Sequence, residues 1–128
     1  MPSLILIVDD DEGICRTLSA ALHTQGYDVL CAADARMAEQ LLDARLPDLI
    51  LTDIFMDEAD GLELINTILR VRKLAVPIVA MSGVASGYGF DSLAIAERLG
   101  AIATLTKPFS TTLLFETIAR ILNVTGVR

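Results

Sequence analysis

Several polar residues in this chain come directly after short aliphatic runs. Asp9 and Asp10 follow LILIV, and Asp53 follows LILT. Further along, Ser82 follows IVAM and Lys107 follows ATLT. Short apolar runs bounded by polar residues are typical of buried parallel strands, and ligands bind at the carboxyl ends of such strands. The pattern therefore predicts three carboxylates, a hydroxyl and an ammonium at one edge of a sheet.

This set of side chains suits phosphoryl chemistry that uses a divalent cation. Close carboxylates raise one another's pKa unless a cation intervenes, and Mg²⁺ prefers oxygen ligands, with Mn²⁺ as an alternative. Asp53 can act as a nucleophile and form an aspartyl phosphate. Lys107 can pair with a phosphoryl oxygen as a compact charge, and the Ser82 hydroxyl can donate a hydrogen bond to another.

The elements that position these residues alternate between strands and helices. Helical apolar spacing, capping residues and glycine stops predict a helix after each strand. Such alternation indicates an α/β fold, a doubly wound parallel sheet with helices on both faces. The five predicted strands are Leu4–Val8, Tyr27–Ala32, Leu49–Asp53, Ile78–Met81 and Ala101–Thr106.

Three of the predicted helices have features that the structure can test directly. Asp34 is expected to cap the second helix, with Met37 on its apolar face. Ser110 is expected to cap the fifth helix, with Leu113 turned inward. The fourth helix is predicted to run from about residue 92 to residue 99, and fraying is expected past residue 123.

Length and composition limit the classes of protein that fit. A chain of 128 residues suits one domain, and with no repeat or linker we expect no second domain. The net charge of −7 argues against non-specific nucleic-acid binding. Cys15 and Cys31 fit no metal or redox spacing, which favours a reducing compartment. The N-terminus resembles neither a signal peptide nor a membrane span, so we expect a cytoplasmic protein.

The motifs ILIVDDDE, LILTDIFMDEADG, PIVAMSG and TLTKPF, in this order, resemble those of response-regulator receiver domains of two-component signalling. The resemblance extends from about Leu4 to Leu122. It implies a flavodoxin-like (βα)5 fold with strand order 2-1-3-4-5, and a single receiver domain over residues 1–128. It also implies Mg²⁺-dependent phosphorylation of Asp53 by a histidine kinase or phosphotransfer protein, which would switch protein–protein contacts.

The same resemblance implies a role for each site residue. Asp10 would bind Mg²⁺ directly and Asp9 largely through water, together with Asp53 and the backbone carbonyl of Phe55. Ser82 and Lys107 would hold the phosphoryl oxygens, and the peptide bond that follows Lys107 would be cis.

Partners are implied as well. An output protein would bind the face formed by the fourth helix, the fifth strand and the fifth helix. The protein would catalyse only its own phosphorylation and dephosphorylation, without a separate substrate.

Two departures from the family pattern affect the expected switch. Met56 is followed by Asp57, where the family often has proline. Thr104 occupies the position of the family's switch aromatic, three residues before the lysine. The response is therefore expected in the loop that contains Gly83, Gly87 and Gly89 and in the start of the fourth helix.

Two positions flank the phosphorylation chemistry, and both are apolar. Phe55 lies two residues after Asp53, and Val84 lies two residues after Ser82. Neither side chain can orient an attacking water molecule. We therefore expect a comparatively long-lived phosphoryl group.

Three other functions compete with this interpretation. A flavin- or nucleotide-binding protein of the same architecture would need a Gly/Ser/Thr loop after the first strand, where this chain has acids. A Mg²⁺-dependent phosphatase would need a second aspartate at the position of Phe55. A degenerate receiver that docks without being phosphorylated is disfavoured by the intact set of five site residues.

Overall fold

The computed structural model of the chain describes residues 2–56, 60–83 and 89–125. Its strands form one sheet in the order β2-β1-β3-β4-β5, and every pairing is parallel. The predicted α/β fold and its strand order are confirmed. The strands are β1 (Leu4–Val8), β2 (Asp28–Ala32), β3 (Leu49–Asp53), β4 (Ile78–Gly83) and β5 (Ala103–Lys107).

A helix follows each strand. The third helix continues directly into a π-helical segment, Thr67–Val71, before the chain returns to the sheet. The helices are α1 (Glu12–Thr24), α2 (Ala35–Ala44), α3 (Asp60–Asn66), α4 (Gly89–Leu99) and α5 (Thr111–Thr125).

The sheet separates two hydrophobic cores, because successive strand side chains point to opposite faces. In β1, Leu6 and Val8 pack with α2, α3 and α4, whereas Ile5 and Ile7 pack with α1 and α5. All five residues of β1 and of β3 are buried. Strands buried on both faces explain the unbroken aliphatic runs in the sequence.

Side chains at the helix starts satisfy backbone amides that lack a helical partner. The Asp34 carboxylate accepts a hydrogen bond from the Met37 amide at 2.7 Å, as the sequence predicted. The Ser110 hydroxyl accepts one from the Leu113 amide at 3.0 Å, also as predicted. Asp11 caps α1 in the same way, and its carboxylate lies 3.1 Å from the Ile14 amide.

Two predictions about the cores were wrong. Met37 is 43% exposed and Leu113 is 48% exposed, so neither faces the core. On each helix the next residue, Ala38 or Leu114, is fully buried and defines the inward direction. The apolar stripe in the sequence is wider than the part of the helix that contacts the sheet.

Element boundaries also differ by a few residues from those predicted. The fourth helix begins at Gly89 rather than near residue 92, and the fifth helix continues to Thr125. β5 begins at Ala103, two residues later than predicted, because the amide of Ala101 still bonds to Ala96 of α4 at 3.0 Å.

Candidate functional site

Three carboxylates lie together at the carboxyl ends of β1 and β3. Asp9 and Asp10 directly follow β1, and Asp53 is the last residue of β3. Each contributes an oxygen within 4.8 Å of the others. Asp9 and Asp53 are buried and Asp10 is exposed, so the cluster reaches solvent on one side.

The register of the sheet explains why these acids meet. β1 and β3 are paired in the sheet, with Val8 opposite Thr52. The next residue along each strand, Asp9 or Asp53, therefore falls at the same level of the sheet. Strand pairing thus positions two acids that are far apart in the sequence.

Gly61 lets the start of α3 approach the backbone behind Asp53. Its amide donates a hydrogen bond to the Ile54 carbonyl at 3.0 Å. A Cβ at residue 61 would overlap the carbonyl oxygen of Asp53 and lie 2.6 Å from the Cα of Ile54. The close approach needs a glycine at this position.

Lys107 brings a positive charge to the cluster from the end of β5. Its Nζ lies 2.8 Å from Asp9 Oδ2 and 3.5 Å from Asp53 Oδ1. The Cα partner of Lys107 is Gly83 at the end of β4, so the lysine side chain extends past β4 to reach the acids. A cation here compensates two buried negative charges that would otherwise be costly.

The site changes the proton affinity of two of its members. Burial raises the pKa of the Asp53 carboxyl to about 6; Asp9 and Asp10 act in the same direction, whereas Lys107 opposes them. Burial alone would lower the pKa of Lys107, but its hydrogen bond to Asp9 and the charges of Asp53 and Asp9 raise it overall. Lys107 is therefore held as a cation.

Ser82 is buried within β4, one residue before Gly83. Its Oγ lies 3.5 Å from the Oγ of Ser92, a buried residue of α4. This distance is long for a hydrogen bond between hydroxyl groups. The hydroxyl that was expected to face a phosphoryl group therefore contacts the start of α4 in this structure.

Two further predicted site residues are Phe55, which follows β3, and Thr104, which lies within β5. Phe55 is partly buried and packs against the core on the side of α2, α3 and α4. Thr104 is partly buried in β5, opposite Ala80 of β4. The Lys107–Pro108 peptide bond is cis, as the resemblance implied.

The chemistry of the acidic cluster fits a hard divalent cation. Its donors are carboxylate oxygens, which Mg²⁺ and Mn²⁺ prefer to nitrogen or sulfur. Two of the three acids are buried, where a nearby cation favours their charged forms. A site open to solvent on one side also leaves room for water or phosphate ligands.

Some predictions fall on residues that the structure does not describe. Asp57 and Val84 lie outside the described residues, as does most of the glycine-rich loop after Gly83. The expected response of that loop and the water-blocking role of Val84 remain predictions.

Two features near the site gave no signal in the sequence. Cys15 and Cys31 are in contact in the fold, although their spacing gave no signal for a paired site. Ser92, the neighbour of Ser82, had no distinguishing pattern either. Both contacts depend on how a helix packs on the sheet.

Comparison with known proteins identifies the family. The profile of the response regulator receiver domain family matches residues 5–119. The chain belongs to this family. Receiver domains are signalling modules rather than enzymes that act on a separate substrate, and they bind Mg²⁺ at an acidic pocket.

Two curated relatives are longer than this receiver domain. The alkaline phosphatase synthesis transcriptional regulatory protein PhoP of Bacillus subtilis is 39% identical over 110 residues, which cover 86% of this chain and 44% of the relative. The transcriptional regulatory protein GlrR of Escherichia coli is 32% identical over 117 residues, which cover 91% of this chain and 26% of the relative. This receiver domain thus spans less than half of either protein.

Solved structures give the same result for the fold. The receiver domain of NtrX from Brucella abortus has a TM-score of 0.85 at 30% identity, covering 93% of this chain and 98% of that one. A CheY-like receiver domain protein from Methanospirillum hungatei has a TM-score of 0.85 at 28% identity, covering 96% and 95%. Among the described residues, no helix is long and apolar enough to cross a membrane.

Proposed function

We propose that this receiver domain accepts a phosphoryl group on Asp53 from a histidine kinase or a histidine phosphotransfer protein. The observation that supports the proposal best is the juxtaposition of the acidic cluster with Lys107. Three carboxylates have oxygens within 4.8 Å of one another, and the lysine Nζ lies 2.8 and 3.5 Å from two of them. Response-regulator receiver domains interact with histidine kinases and output domains.

Asp10, Asp9, Asp53 and the backbone carbonyl of Phe55 would hold the cation, Mg²⁺ or alternatively Mn²⁺. When bound, the cation neutralises the carboxylates and the incoming phosphoryl group. Its charge also favours the ionised form of Asp53, which burial disfavours.

Asp53 would act as the nucleophile. Its carboxylate oxygen forms a bond to phosphorus while the phosphorus–nitrogen bond of the donor phosphohistidine breaks. Lys107 would pair with a phosphoryl oxygen. Its ammonium group would then divide its contacts between Asp9 and the phosphoryl group. The receiver domain would in this way catalyse its own phosphorylation and its own hydrolytic dephosphorylation, with no other substrate.

Ser82 and Thr104 would carry the switch. When the Ser82 hydroxyl donates to a phosphoryl oxygen, it can no longer donate to Ser92, 3.5 Å away on α4, and can only accept from it. Phosphorylation would therefore act on the start of α4 and on the loop before it. Thr104 replaces an aromatic residue, so less side-chain volume is available to move beside β5.

The output partner would bind the face formed by α4, β5 and α5. Apolar side chains are exposed there: Ile95 of α4 is 39% exposed, Ile102 before β5 is 51% exposed and Leu113 of α5 is 48% exposed. Side chains of this kind are suited to a protein contact. The net charge of −7 disfavours nucleic acid as a direct ligand.

The extent and location of the domain are also proposals. We propose that residues 1–128 act as a single receiver domain with a core from about Leu4 to Leu122, supported by the family match over residues 5–119. We propose a cytoplasmic location, where a kinase partner and the reduced state of both cysteines are expected.

Phosphorylation can be tested without knowledge of the kinase. The protein is incubated with acetyl phosphate and Mg²⁺ and followed by intact mass, while beryllofluoride binding is followed by NMR. The wild type should gain one phosphoryl group that requires Mg²⁺, and Asp53→Asn should gain none. If neither reagent gives a Mg²⁺-dependent change that requires Asp53, the protein is a receiver that docks without phosphorylation.

A further inference from the structure

Cys15 and Cys31 are distant in the sequence but adjacent in the fold. Cys15 belongs to α1 and Cys31 to β2, and both are free thiols. The Cys31 Sγ lies 3.8 Å from the backbone oxygen of Cys15, and burial together with the neighbouring Cys31 raises the pKa of the Cys15 thiol to about 12. Packing of α1 on the sheet thus creates a dithiol pair.

This pair is accessible from one side. Both cysteines line a pocket of about 500 Å³ whose lining also includes the exposed residues Arg16 and Met37. Cys15 is 7% exposed and buried, whereas Cys31 is only partly buried. Of the two cysteines, Cys31 is therefore the more accessible to a small solute. The Ser19 hydroxyl lies 3.2 Å from the Cys31 sulfur and helps to fix its position.

On its other side the pair touches the acidic site. The Cys15 thiol lies 3.7 Å from the backbone oxygen of Asp9. The Cys15 amide bonds to the Asp11 carbonyl at 3.1 Å, and the Asp11 amide bonds to the Asp9 carboxylate at 3.0 Å. The turn between β1 and α1 therefore connects Cys15 to an acidic residue of the site.

We propose that Cys15 and Cys31 form a reversible intramolecular disulfide when the protein meets a peroxide, and that its closure weakens divalent-cation binding at the acidic cluster. The first part stands on the thiol geometry alone. The second part rests on the proposed function of the cluster as a cation site.

The oxidation is balanced with hydrogen peroxide as the oxidant. The Cys31 sulfur attacks one peroxide oxygen, the O–O bond breaks, and a sulfenic acid and one water molecule form. The Cys15 sulfur then attacks the sulfenic sulfur, the S–O bond breaks, and the departing hydroxide takes the Cys15 proton as a second water molecule. The two sulfurs together give two electrons to the peroxide, and a dithiol reductant reverses the reaction by thiol–disulfide exchange.

Closure changes how Cys15 contacts the turn. The Cys15 sulfur must come to about 2.05 Å from the Cys31 sulfur, and the disulfide has no S–H group left to donate. The hydrogen bond from the Cys15 thiol to the Asp9 carbonyl is therefore lost. Changes in the groups that support metal ligands weaken metal binding by on the order of tenfold or more, and we expect a loss at the lower end of that range.

Intact mass of the full chain tests the disulfide. The reduced protein is treated with hydrogen peroxide and analysed before and after a dithiol reductant. The wild type should lose two hydrogen atoms as a monomer, and peptide mapping should join the peptides of Cys15 and Cys31. The matched variant Cys31→Ser keeps a polar side chain beside Ser19 and should not cross-link. A disulfide-linked dimer, or sulfinic acid without a cross-link, would overturn the proposal.

Mg²⁺ titration tests the coupling. The reduced, oxidised and re-reduced wild-type proteins are compared, with peroxide-treated Cys31→Ser as the control. Affinity should fall on the order of tenfold on oxidation, recover on reduction and stay unchanged in the control. Equal affinity of the reduced and cross-linked proteins would refute the coupling while leaving the disulfide in place. Because neither assay measures phosphorylation, failure of the Asp53 assignment would be seen separately.

Discussion

Lys107 is closer to Asp9 than to Asp53. Its Nζ is 2.8 Å from Asp9 Oδ2 and 3.5 Å from Asp53 Oδ1. The lysine therefore compensates the charge of an acid that is not the proposed nucleophile, while remaining near enough to reach a group attached to Asp53. Removing it should affect phosphorylation and cation binding differently.

Lys107→Met should slow phosphorylation by acetyl phosphate on the order of 100-fold, the usual cost of losing one group that stabilises a transition state. Mg²⁺ affinity should be unchanged or tighter, because a positive charge next to the site is gone. Phosphorylation rates from intact mass and Mg²⁺ titration measure the two effects. A parallel loss of both would mean that Lys107 mainly holds the fold of the site.

Asp53 should lower the stability of the metal-free protein at neutral pH. Burial raises its pKa from 3.8 to about 6, so the folded protein binds the proton more tightly than the unfolded chain does. The resulting stabilisation is complete below the unfolded pKa and is lost as the pH rises towards about 6. In EDTA, Asp53→Asn should therefore be more stable than wild type at neutral pH, by about 1 to 3 kcal/mol.

The pH dependence separates this effect from a simple packing change. Urea unfolding at about pH 5 and about pH 7.5 should show the advantage of Asp53→Asn growing by about 1 kcal/mol with pH. Mg²⁺ should reduce the advantage, because it binds the wild-type carboxylate. An advantage that does not change with pH would argue against a raised pKa for Asp53.

Gly61→Ala should destabilise the fold by about 1 to 3 kcal/mol, the usual cost of overpacking. The new methyl group would meet backbone atoms of Asp53 and Ile54, which cannot turn aside as a flexible side chain can. Gly83→Ala is the matched control, since a Cβ at residue 83 would meet no atom of the described residues within 4 Å. Urea unfolding of both variants measures the difference. Equal effects would show that α3 can move back without penalty.

Ser92→Ala should tighten beryllofluoride binding a few-fold, because the Ser82 hydroxyl loses its contact on α4. The effect on stability should be about 0.5 to 1.5 kcal/mol or less, because the 3.5 Å contact is long for a hydrogen bond. Ser82→Ala should weaken binding instead. NMR titration of both variants with beryllofluoride in Mg²⁺ tests the opposite signs. Weaker binding in both would assign Ser92 a supporting role rather than a competing one.

Phe55→Asn should shorten the lifetime of the phosphoryl group several-fold. An amide at this position can orient a water molecule for attack, which the phenyl ring cannot do. Loss of the phosphoryl mass after removal of acetyl phosphate gives both lifetimes. Wild-type decay within seconds would refute the expected long-lived phosphoryl group, and Phe55→Leu serves as the apolar control.

The sequence predicted the placement of the acids well because two simple patterns act together. The runs before Asp9 and Asp53 are long enough for strands, and parallel pairing brings their ends to one edge of the sheet. The DG motif at Asp60-Gly61 was visible in the sequence, but the reason why residue 61 is a glycine was not. It depends on how close α3 comes to the backbone of Asp53.

Features that depend on helix packing could not be predicted. Met37 and Ala38 both have spacing suited to an inward face, yet only Ala38 is buried. The π-helical segment Thr67–Val71 contains no glycine or proline from which it could have been predicted. The contact of Cys15 with Cys31 depends on how α1 crosses β2, which local patterns do not specify.

The sheet order gives the two halves of the site different mechanical supports. The three carboxylates follow β1 and β3, and each of these strands is hydrogen-bonded to a neighbour on both sides. Lys107 belongs to β5, an edge strand joined to β4 alone. A displacement of β5 breaks pairing on one side, whereas a displacement of β1 or β3 breaks it on two. The carboxylates are therefore held by strands that are paired on both sides, whereas Lys107 can move with fewer hydrogen bonds broken.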